Sequence, residues 1–308
     1  MLNKTTLNYY LSITYINVEN KILTDYFTLE NSMQLSIQQY EVITDFIYQK
    51  SGLKFDSRKQ YFIDKRVNDR MDKLRITEVN EYIRFLKFND FDKKEFQLLI
   101  NAVTTNESFF FRDYAQLQSF AEHCLTEVVT QKAERGSNNL RIWSAGCSRG
   151  EEPYSLAIIL NEILGNVNDW NIEILATDID ADVLNKANIA IFDYRAVKEI
   201  PDEYVHKYFT ERNGMYYLSS QIKSMVKFMN QNLNDQTSIK KMKNFDFIFC
   251  RNVLIYFDEI SRKRVVDNFY LSLNTGGYVF LGSSESIARI TNAFTLKRKG
   301  NYLVYKKE

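Results

Sequence analysis

Two adjacent carboxylates, Glu151 and Glu152, directly follow a turn of small residues at 146–150. The apolar run at 140–145 predicts a buried strand before the turn, and apolar residues at helical spacing after Glu152 predict a helix. In a parallel α/β sheet such a turn lets backbone N–H groups approach a ligand closely, because glycine has no Cβ. The segment therefore predicts a ligand-binding turn that includes Gly146.

The two glutamates restrict the kind of ligand. Carboxylates at a helix N-terminus repel a pyrophosphate and suit a cation. They argue against NAD and favour S-adenosylmethionine, which carries a sulfonium and an ammonium group and no phosphate. The alternative is that Glu151 and Glu152 only complement the helix dipole.

An acidic residue, Asp178, ends the next predicted strand, at 171–177. Doubly wound nucleotide sites accept ribose hydroxyls at this position, so Asp178 is the candidate for that contact. Asp180 is suited instead to capping the helix that we expect at 181–188.

Three more candidates, Arg251, Asn252 and Tyr256, follow a buried strand predicted at 245–250. Ligands in open α/β sheets bind at the carboxyl ends of the strands. We therefore expect these side chains beside the glycine turn and Asp178.

The stretch at 104–113 joins polar residues to three phenylalanines and Arg112. Aromatic side chains with one guanidinium favour a partly apolar pocket wall in which Arg112 grips a carboxylate bidentately. The alternative is packing between domains, with the arginine as a cap.

Composition limits the class of protein. With 308 residues, 45% hydrophobic and 26% charged, the chain has the make-up of a globular protein with room for two domains. A net charge of +1 does not favour nucleic acid as a partner. Three cysteines without a Cys-x-x-Cys pair and only two histidines predict neither disulfides nor a metal site. The cysteine pattern favours a reducing, cytoplasmic setting. No apolar run is long enough for membrane insertion.

Four regions are predicted to position these residues. Residues 1–32 have no clear period and are expected to be a poorly ordered extension, with Met33 a candidate start of translation. Residues 33–105 read as a small all-α domain, residues 106–137 as a linker and connecting helix, and residues 138–308 as an α/β domain. Its alternation of strands and helices predicts a doubly wound, mostly parallel sheet with an antiparallel last strand and a small β excursion at about 213–230.

The all-α region contains a basic stretch. Between positions 50 and 75 there are nine Lys or Arg and four Asp. A solvated helix surface explains this pattern, and so does a docking face for an acidic partner. The candidate docking residues are Arg58, Lys65, Arg66, Arg70 and Lys73.

Four motifs occur in one order: Thr-Thr-Asn-Glu-Ser-Phe-Phe-Phe-Arg at 104–112, Trp-Ser-Ala-Gly-Cys-Ser-Arg-Gly-Glu-Glu-Pro-Tyr-Ser at 143–155, Ala-Thr-Asp-Ile-Asp at 176–180, and Phe-Cys-Arg-Asn-Val-Leu-Ile-Tyr-Phe at 249–257. In these motifs the chain resembles the chemotaxis receptor glutamate methyltransferases, the CheR family. The resemblance covers about residues 33–305.

The resemblance implies a class I methyltransferase fold that binds S-adenosylmethionine and esterifies glutamate side chains on the cytoplasmic helices of chemoreceptors. It implies that Arg112 and Tyr256 flank the transferred methyl group, and that the basic helix meets the receptor. The cofactor contacts that it implies are Asn106, Ser108, Arg112, Glu152, Asp178, Asn232, Leu233, Arg251 and Asn252.

Two departures from the family accompany the resemblance. Arg149 stands where family members often have a small hydroxyl residue, and we expect it to point outward. The β excursion near 213–219 is shorter than in family members that bind a tethering peptide at receptor C-termini, which argues against tethering.

The reaction expected is direct displacement by a glutamate carboxylate, which is already ionised at neutral pH and needs no general base. The main alternative is a non-catalytic module that binds S-adenosylmethionine for signalling or scaffolding. A nucleic-acid methyltransferase would need a broader basic surface. Nothing in the sequence requires more than a monomer.

Overall fold

The computed structural model describes residues 34–308. The predicted extension at 1–32 lies outside the described residues. Packing divides the described chain into a smaller unit, residues 34–43 and 56–93, and a larger unit, residues 44–55 and 94–308.

The smaller unit is helical, as predicted. Its first helix, α1 (Ile37–Ser51), belongs to this unit up to residue 43. A 3-10 turn (Ser57–Lys59) leads into α2 (Gln60–Leu74). Helix α3 (Val79–Arg84) continues as a π-helical turn (Phe85–Asn89). The apolar positions of α2 that recur at helical spacing, Ile63, Val67 and Met71, are buried.

The larger unit contains the remaining helices and all the strands found among the described residues. The helices are α4 (Lys94–Val103), α5 (Tyr114–Ser119), α6 (Thr126–Glu134), α7 (Glu151–Ile163), α8 (Ala181–Ile189), α9 (Tyr194–Val197), α10 (Asp202–Tyr208), α11 (Ser220–Ser224), α12 (Gln236–Ile239) and α13 (Glu259–Ser272). The strands are β1 (Asn139–Ala145), β2 (Asn171–Asp178), β3 (Ile191–Phe192), β4 (Phe209–Arg212), β5 (Met215–Leu218), β6 (Val226–Asn230), β7 (Phe245–Cys250), β8 (Leu273–Leu281), β9 (Thr295–Lys299) and β10 (Tyr302–Lys306).

Seven strands form one sheet in the order β6-β2-β1-β7-β8-β10-β9. The first five are parallel to one another, and β10 runs antiparallel to both β8 and β9. Every residue of β7 is buried, as expected for a central parallel strand covered on both faces. The predicted mixed sheet with an antiparallel last strand is confirmed.

The predicted limits of the β excursion, about 213–230, are wrong. The excursion is a separate three-stranded sheet in the order β3-β5-β4, which spans residues 191–218. Strand β6 pairs instead with β2, as an edge of the large sheet. The alternation of side chains predicts that a segment is a strand, but it carries no information about which strand is its partner.

The core of the larger unit is strongly aromatic. Phe120 makes edge-to-face contacts with Phe247, Phe249 and Phe280, at centroid distances of 5.0, 5.2 and 5.7 Å. These contacts fasten the helical segment before β1 to the centre of the sheet. Among residues 34–308, none of the helices combines the length and the apolar character that crossing a bilayer requires.

Candidate active site

A cavity of about 300 Å³ opens where β1, β2 and β7 end. Its lining comes from the larger unit alone, and it includes every residue that the sequence predicted for the catalytic and cofactor sites. These residues are Asn106, Ser108, Arg112, Gly146, Glu152, Asp178, Asn232, Leu233, Arg251, Asn252 and Tyr256.

The glycine turn lies against the segment after β7. Gly146 has a φ of +82°, and a Cβ there would lie 2.3 Å from Cγ2 of Val253. The N–H of Gly146 donates to the carbonyl oxygen of Thr177 at 2.7 Å, which holds the turn to the end of β2. Glycine is therefore required here by both backbone conformation and space.

Asp178 and Asp180 differ in what they contact, as the sequence predicted. Asp178 lines the cavity, and its carboxylate accepts from the N–H groups of Ser148 and Asp180 at 2.8 and 2.9 Å. Burial raises the pKa of Asp178 to about 6, against the opposing effect of those hydrogen bonds. Asp180 accepts from the N–H groups of Asp182 and Val183 and so caps α8.

The paired glutamates differ in their partners. Oε1 of Glu152 accepts from the hydroxyl of Ser144 at 2.7 Å, and its Oε2 pairs with Arg251 at 3.2 Å. Glu151 is fully buried, and its Oε1 lies 2.9 Å from Nη2 of Arg149. Burial raises the pKa of both carboxyls, while the arginine beside each opposes the rise. Of the two, only Glu152 reaches the cavity.

The expectation that Arg149 points outward is wrong. Arg149 does not line the cavity, but its side chain folds onto Glu151 because a fully buried carboxylate needs a partner. Because Arg149 pairs with Glu151, the carboxylate that would repel a pyrophosphate in the cavity is that of Glu152.

The aromatic stretch before α5 contributes in two ways. Phe110 is buried in the core, in edge-to-face contact with Phe192 and Phe209. Phe109 and Phe111 line the cavity, as the pocket-wall interpretation predicts. The partners of Phe110 belong to the same unit, so its contacts are not the packing between domains that was the alternative.

Arg112 lies on the cavity wall. Its Nη1 donates to the carbonyl oxygen of Glu107 at 3.1 Å, and its guanidinium lies 5.7 Å from the ring centroid of Phe109. Both contacts come from residues just before it in the chain. They restrain the guanidinium and leave it further N–H donors for a ligand carboxylate.

Arg251 binds several groups of the site, and only 3% of its side chain is exposed. Besides Glu152, its guanidinium binds Oδ2 of Asp113 at 2.9 Å and the carbonyl oxygen of Arg112 at 2.5 Å. These contacts join the segment after β7 to α7 and to the stretch that carries Arg112. Arg251 therefore organises the cavity wall.

Two other predicted cofactor residues are also bonded to protein atoms. Nδ2 of Asn106 donates to Oδ2 of Asp180 at 2.7 Å. Nδ2 of Asn232 donates to the carbonyl oxygen of Lys50 at 2.7 Å, and its Oδ1 accepts from the N–H of Asn234 at 2.9 Å. Each amide therefore fixes a cavity wall as well as lining it.

In the smaller unit, the predicted docking residues differ in exposure. Arg58 is 88% exposed and pairs with Asp56, while Lys65 and Lys73 are exposed on α2. Arg66 is half-buried, with its guanidinium 5.1 Å from the ring centroid of Phe62. Arg70, by contrast, is buried, so it does not belong to an exposed face.

Known proteins resemble this chain along most of its length. The model of the all-alpha domain of CheR methyltransferases matches residues 38–104, and the model of their S-adenosylmethionine-binding domain matches residues 106–302. Chemotaxis protein methyltransferase 2 of Vibrio cholerae is 43% identical over 255 residues, which are 82% of this chain and 87% of that protein. The chemotaxis protein methyltransferase of Escherichia coli is 31% identical over 280 residues, 89% of this chain and 93% of that protein.

The chain belongs to the CheR methyltransferase family. It is a protein-glutamate O-methyltransferase that uses S-adenosylmethionine and acts in chemotaxis. The family, enzyme class and cofactor that the motifs predicted are confirmed. The division between the two family models, at 104–106, falls where the sequence predicted the end of the all-α domain, although packing assigns α4 to the larger unit.

The cavity of this CheR-family chain fits S-adenosylmethionine in its donor set. Among the described residues, Oδ1 of Asn252 and the hydroxyl of Ser148 are buried without a hydrogen-bond partner, and both residues line the cavity. The carboxylates of Asp178 and Glu152 add acceptors for hydroxyl and ammonium groups, and Leu233 adds an apolar surface. A polar and partly cationic ligand with an aromatic base suits such a lining.

Sequence reasoning missed residues that only the folded chain identifies. Lys54 lines the cavity, and its N–H donates to the carbonyl oxygen of Tyr256 at 3.0 Å. Asp113 binds Arg251. Its position directly after the first motif, which ends at Arg112, could have marked it as a site residue. Glu285, which binds backbone N–H groups after β7, had no local signal.

Proposed function

We propose that this protein esterifies glutamate side chains on the cytoplasmic helices of chemoreceptors, and that Arg112 and Tyr256 hold the accepting carboxylate during the transfer. The observation that carries the proposal is the convergence of segments distant in sequence on one cavity. Arg112, Glu152, Asp178 and Tyr256 come from four different segments and meet there. Packing alone does not require two carboxylates, an arginine and a tyrosine around one cavity.

Arg112 is suited to orienting the substrate. A guanidinium offers donors in a planar fork that matches a carboxylate, and the contacts with Glu107 and Phe109 limit its freedom before the substrate arrives. Tyr256 lines the same cavity, and its hydroxyl would supply a second donor. Together they would hold the glutamate side chain in one orientation.

No general base is required for this reaction. A glutamate side chain has an ordinary pKa near 4.3, so it is ionised at neutral pH and attacks as the carboxylate. The bound cofactor supplies an activated methyl group on a positively charged sulfur. The protein's contribution is alignment, which in favourable reactions is worth about 7 to 11 kcal/mol.

The residues proposed to hold the cofactor fall into four sets by chemistry. Asp178 accepts hydroxyl groups of the ribose, and Glu152 attracts the ammonium group. Asn252 and Ser108 offer polar contacts, and Leu233 packs against the base. Gly146 lets the ligand approach the backbone of the turn closely.

The exposed basic face of α2 is proposed to dock on the receptor. Lys65 and Lys73 are exposed on this helix, and Arg66 is half-buried. Arg58 is exposed in the 3-10 turn that leads into α2. This cationic face suits a helix surface that carries several glutamates. Arg70 is left out because it is buried. Chemoreceptor cytoplasmic helices imply that the protein acts in the cytoplasm.

The test is transfer of labelled methyl from S-adenosylmethionine to cytoplasmic fragments of the organism's chemoreceptors, measured as base-labile methanol. The matched control substrate carries glutamine in place of the glutamates that accept the label. Release that requires the glutamates and falls at least about tenfold in Arg112→Ala would support the proposal. Cofactor binding without any transfer would favour the non-catalytic signalling module instead.

A further inference from the structure

The segment after β7, residues 251–257, is held by a carboxylate from another part of the chain. Oε2 of Glu285 accepts from the N–H of Asn252 at 2.8 Å, and Oε1 accepts from the N–H of Ile255 at 3.3 Å. Oε2 also accepts from the N–H of Gly282 at 2.8 Å. One side chain therefore ties this segment to the turn after β8.

The backbone around Glu285 is arranged for this contact. A Cβ on Gly282 would lie 2.8 Å from Oε2 of Glu285 and 2.9 Å from the nitrogen of Asn252, so the approach is possible only with glycine. Asn252 has a φ of 59°, in the left-handed region that side chains rarely adopt. The hydrogen bond from its N–H to Glu285 helps to keep Asn252 in this conformation.

We infer that Glu285 is a positioning residue for methyl transfer, an inference that rests on the roles proposed for Arg112 and Tyr256. The segment that Glu285 holds starts with Arg251, whose guanidinium binds the carbonyl oxygen of Arg112, and it also carries Tyr256. Glu285 is not among the residues that line the cavity. It binds the backbone N–H groups of Asn252 and Ile255, which directly follow Arg251 and directly precede Tyr256. It therefore acts on Tyr256 through the neighbouring backbone, and on Arg112 through Arg251.

The carboxylate is the part of Glu285 that matters. Its two oxygens accept three N–H bonds, and Oε2 alone accepts two of them. In Glu285→Gln one oxygen becomes an NH₂ donor that faces a backbone N–H, so at least one of the three bonds is lost in either amide orientation. A shift of about 1 Å at the reacting groups can cost about 100-fold in rate, so we expect kcat to fall at least about tenfold.

The experiment is a double-mutant cycle in the full chain, with receptor fragments as substrate. Glu285→Gln, Tyr256→Phe and the double variant are compared for kcat and for the Kd of S-adenosylhomocysteine. We expect Glu285→Gln to lower kcat and to leave that Kd within about threefold, because the glycine turn and Asp178 are untouched. In the Tyr256→Phe background most of the loss should disappear, since residues that act together are not additive.

Ser284→Ala, an exposed neighbour in the same turn, is the matched control and should retain wild-type kcat. Three results would overturn the inference. They are wild-type kcat in Glu285→Gln, parallel losses of kcat, cofactor affinity and Tm in that variant, or losses of kcat that multiply with those of Tyr256→Phe.

Failure of the proposed function can be distinguished from failure of the role inferred for Glu285. If the wild-type protein transfers no methyl group, the proposed function fails, and amide hydrogen exchange of residues 251–257 decides the inference. Faster exchange there in Glu285→Gln than in Ser284→Ala supports it. Equal exchange in the two variants contradicts it.

Discussion

The guanidinium of Arg251 donates to the main-chain carbonyl oxygen of Arg112 at 2.5 Å. The contact joins the side chain of one arginine to the backbone of the other. Arg251 also binds Glu152 and Asp113, so its charge is matched inside the protein.

Replacing Arg251 should therefore affect stability strongly. Arg251→Met leaves Glu152 buried without its cation, and breaking a buried pair on one side costs roughly 3 to 5 kcal/mol. Urea unfolding at pH 7 should show a loss of that order. The double variant Arg251→Met/Glu152→Met should recover most of it, and a double variant as unstable as the single one would contradict this account.

Arg112 should affect turnover more than cofactor binding. A hydrogen bond to a charged group is worth about 1.5 to 3 kcal/mol, so Arg112→Ala should lower kcat about 10-fold to 100-fold. The Kd of S-adenosylhomocysteine, measured by calorimetry, should change much less. Arg195→Ala, an exposed arginine of α9, is the control. Equal losses in kcat and affinity would contradict the assigned role.

Cofactor affinity should depend on pH through Asp178, whose pKa burial raises to about 6. A ligand hydroxyl that donates to the ionised carboxylate favours the deprotonated form. Affinity for S-adenosylhomocysteine should thus be full above pH 7 and fall as pH decreases through 6, by at most about tenfold per pH unit. Calorimetry between pH 5 and 8 measures this dependence.

Asp178→Asn removes the titrating group and is the control for that measurement. Its affinity should be weaker at pH 7.5 and nearly flat between pH 5 and 8. The same slope in the variant as in the wild type would assign the pH dependence to another group.

Substitutions at two glycines allow the free-energy cost of backbone strain to be measured apart from the cost of a steric clash. Gly136 has a φ of +66°, and no atom lies within 4 Å of the point that a Cβ would occupy, so Gly136→Ala should cost about 1 kcal/mol from the left-handed backbone alone. Gly146→Ala adds the clash with Val253 and should cost about 2 to 4 kcal/mol. Unfolding free energies test the difference, and Val253→Ala should restore part of the stability of Gly146→Ala. Equal costs at the two glycines would contradict the close approach.

Charge reversal on α2 should weaken docking to the receptor and leave cofactor binding unchanged. Lys65→Glu with Lys73→Glu should raise KM for receptor fragments, with a difference from wild type that shrinks at high salt because screening weakens exposed charges. Affinity for S-adenosylhomocysteine should not change. Lys186→Glu with Lys240→Glu, exposed lysines of the larger unit, makes the same change in net charge and is the control. An equal rise in KM in the control pair would leave no specific role for α2.

Much of the site was predictable from local patterns. The strand, turn and helix around Gly146 could be predicted because each depends on neighbours in the chain, namely apolar spacing and glycine conformation. The same holds for Asp178 at the end of β2 and for the capping role of Asp180.

Other features depended on distant parts of the chain. Strand alternation did not reveal that β6 pairs with β2, nor did the sequence show that Arg149 turns inward to Glu151. Glu285 lies 33 residues from Asn252, and no local pattern links them. Burial of Arg70 likewise could not be read from its charge or its helical position.

The sequence by itself determined the family, the cofactor, the mixed sheet and the residues that gather at its carboxyl edge, because these follow from motifs and from periodicity along the chain. Only the tertiary structure decided which charged side chain partners which. Those pairings depend on distances between segments far apart in sequence, and on the free energy of burying a charge, which each folded contact must offset.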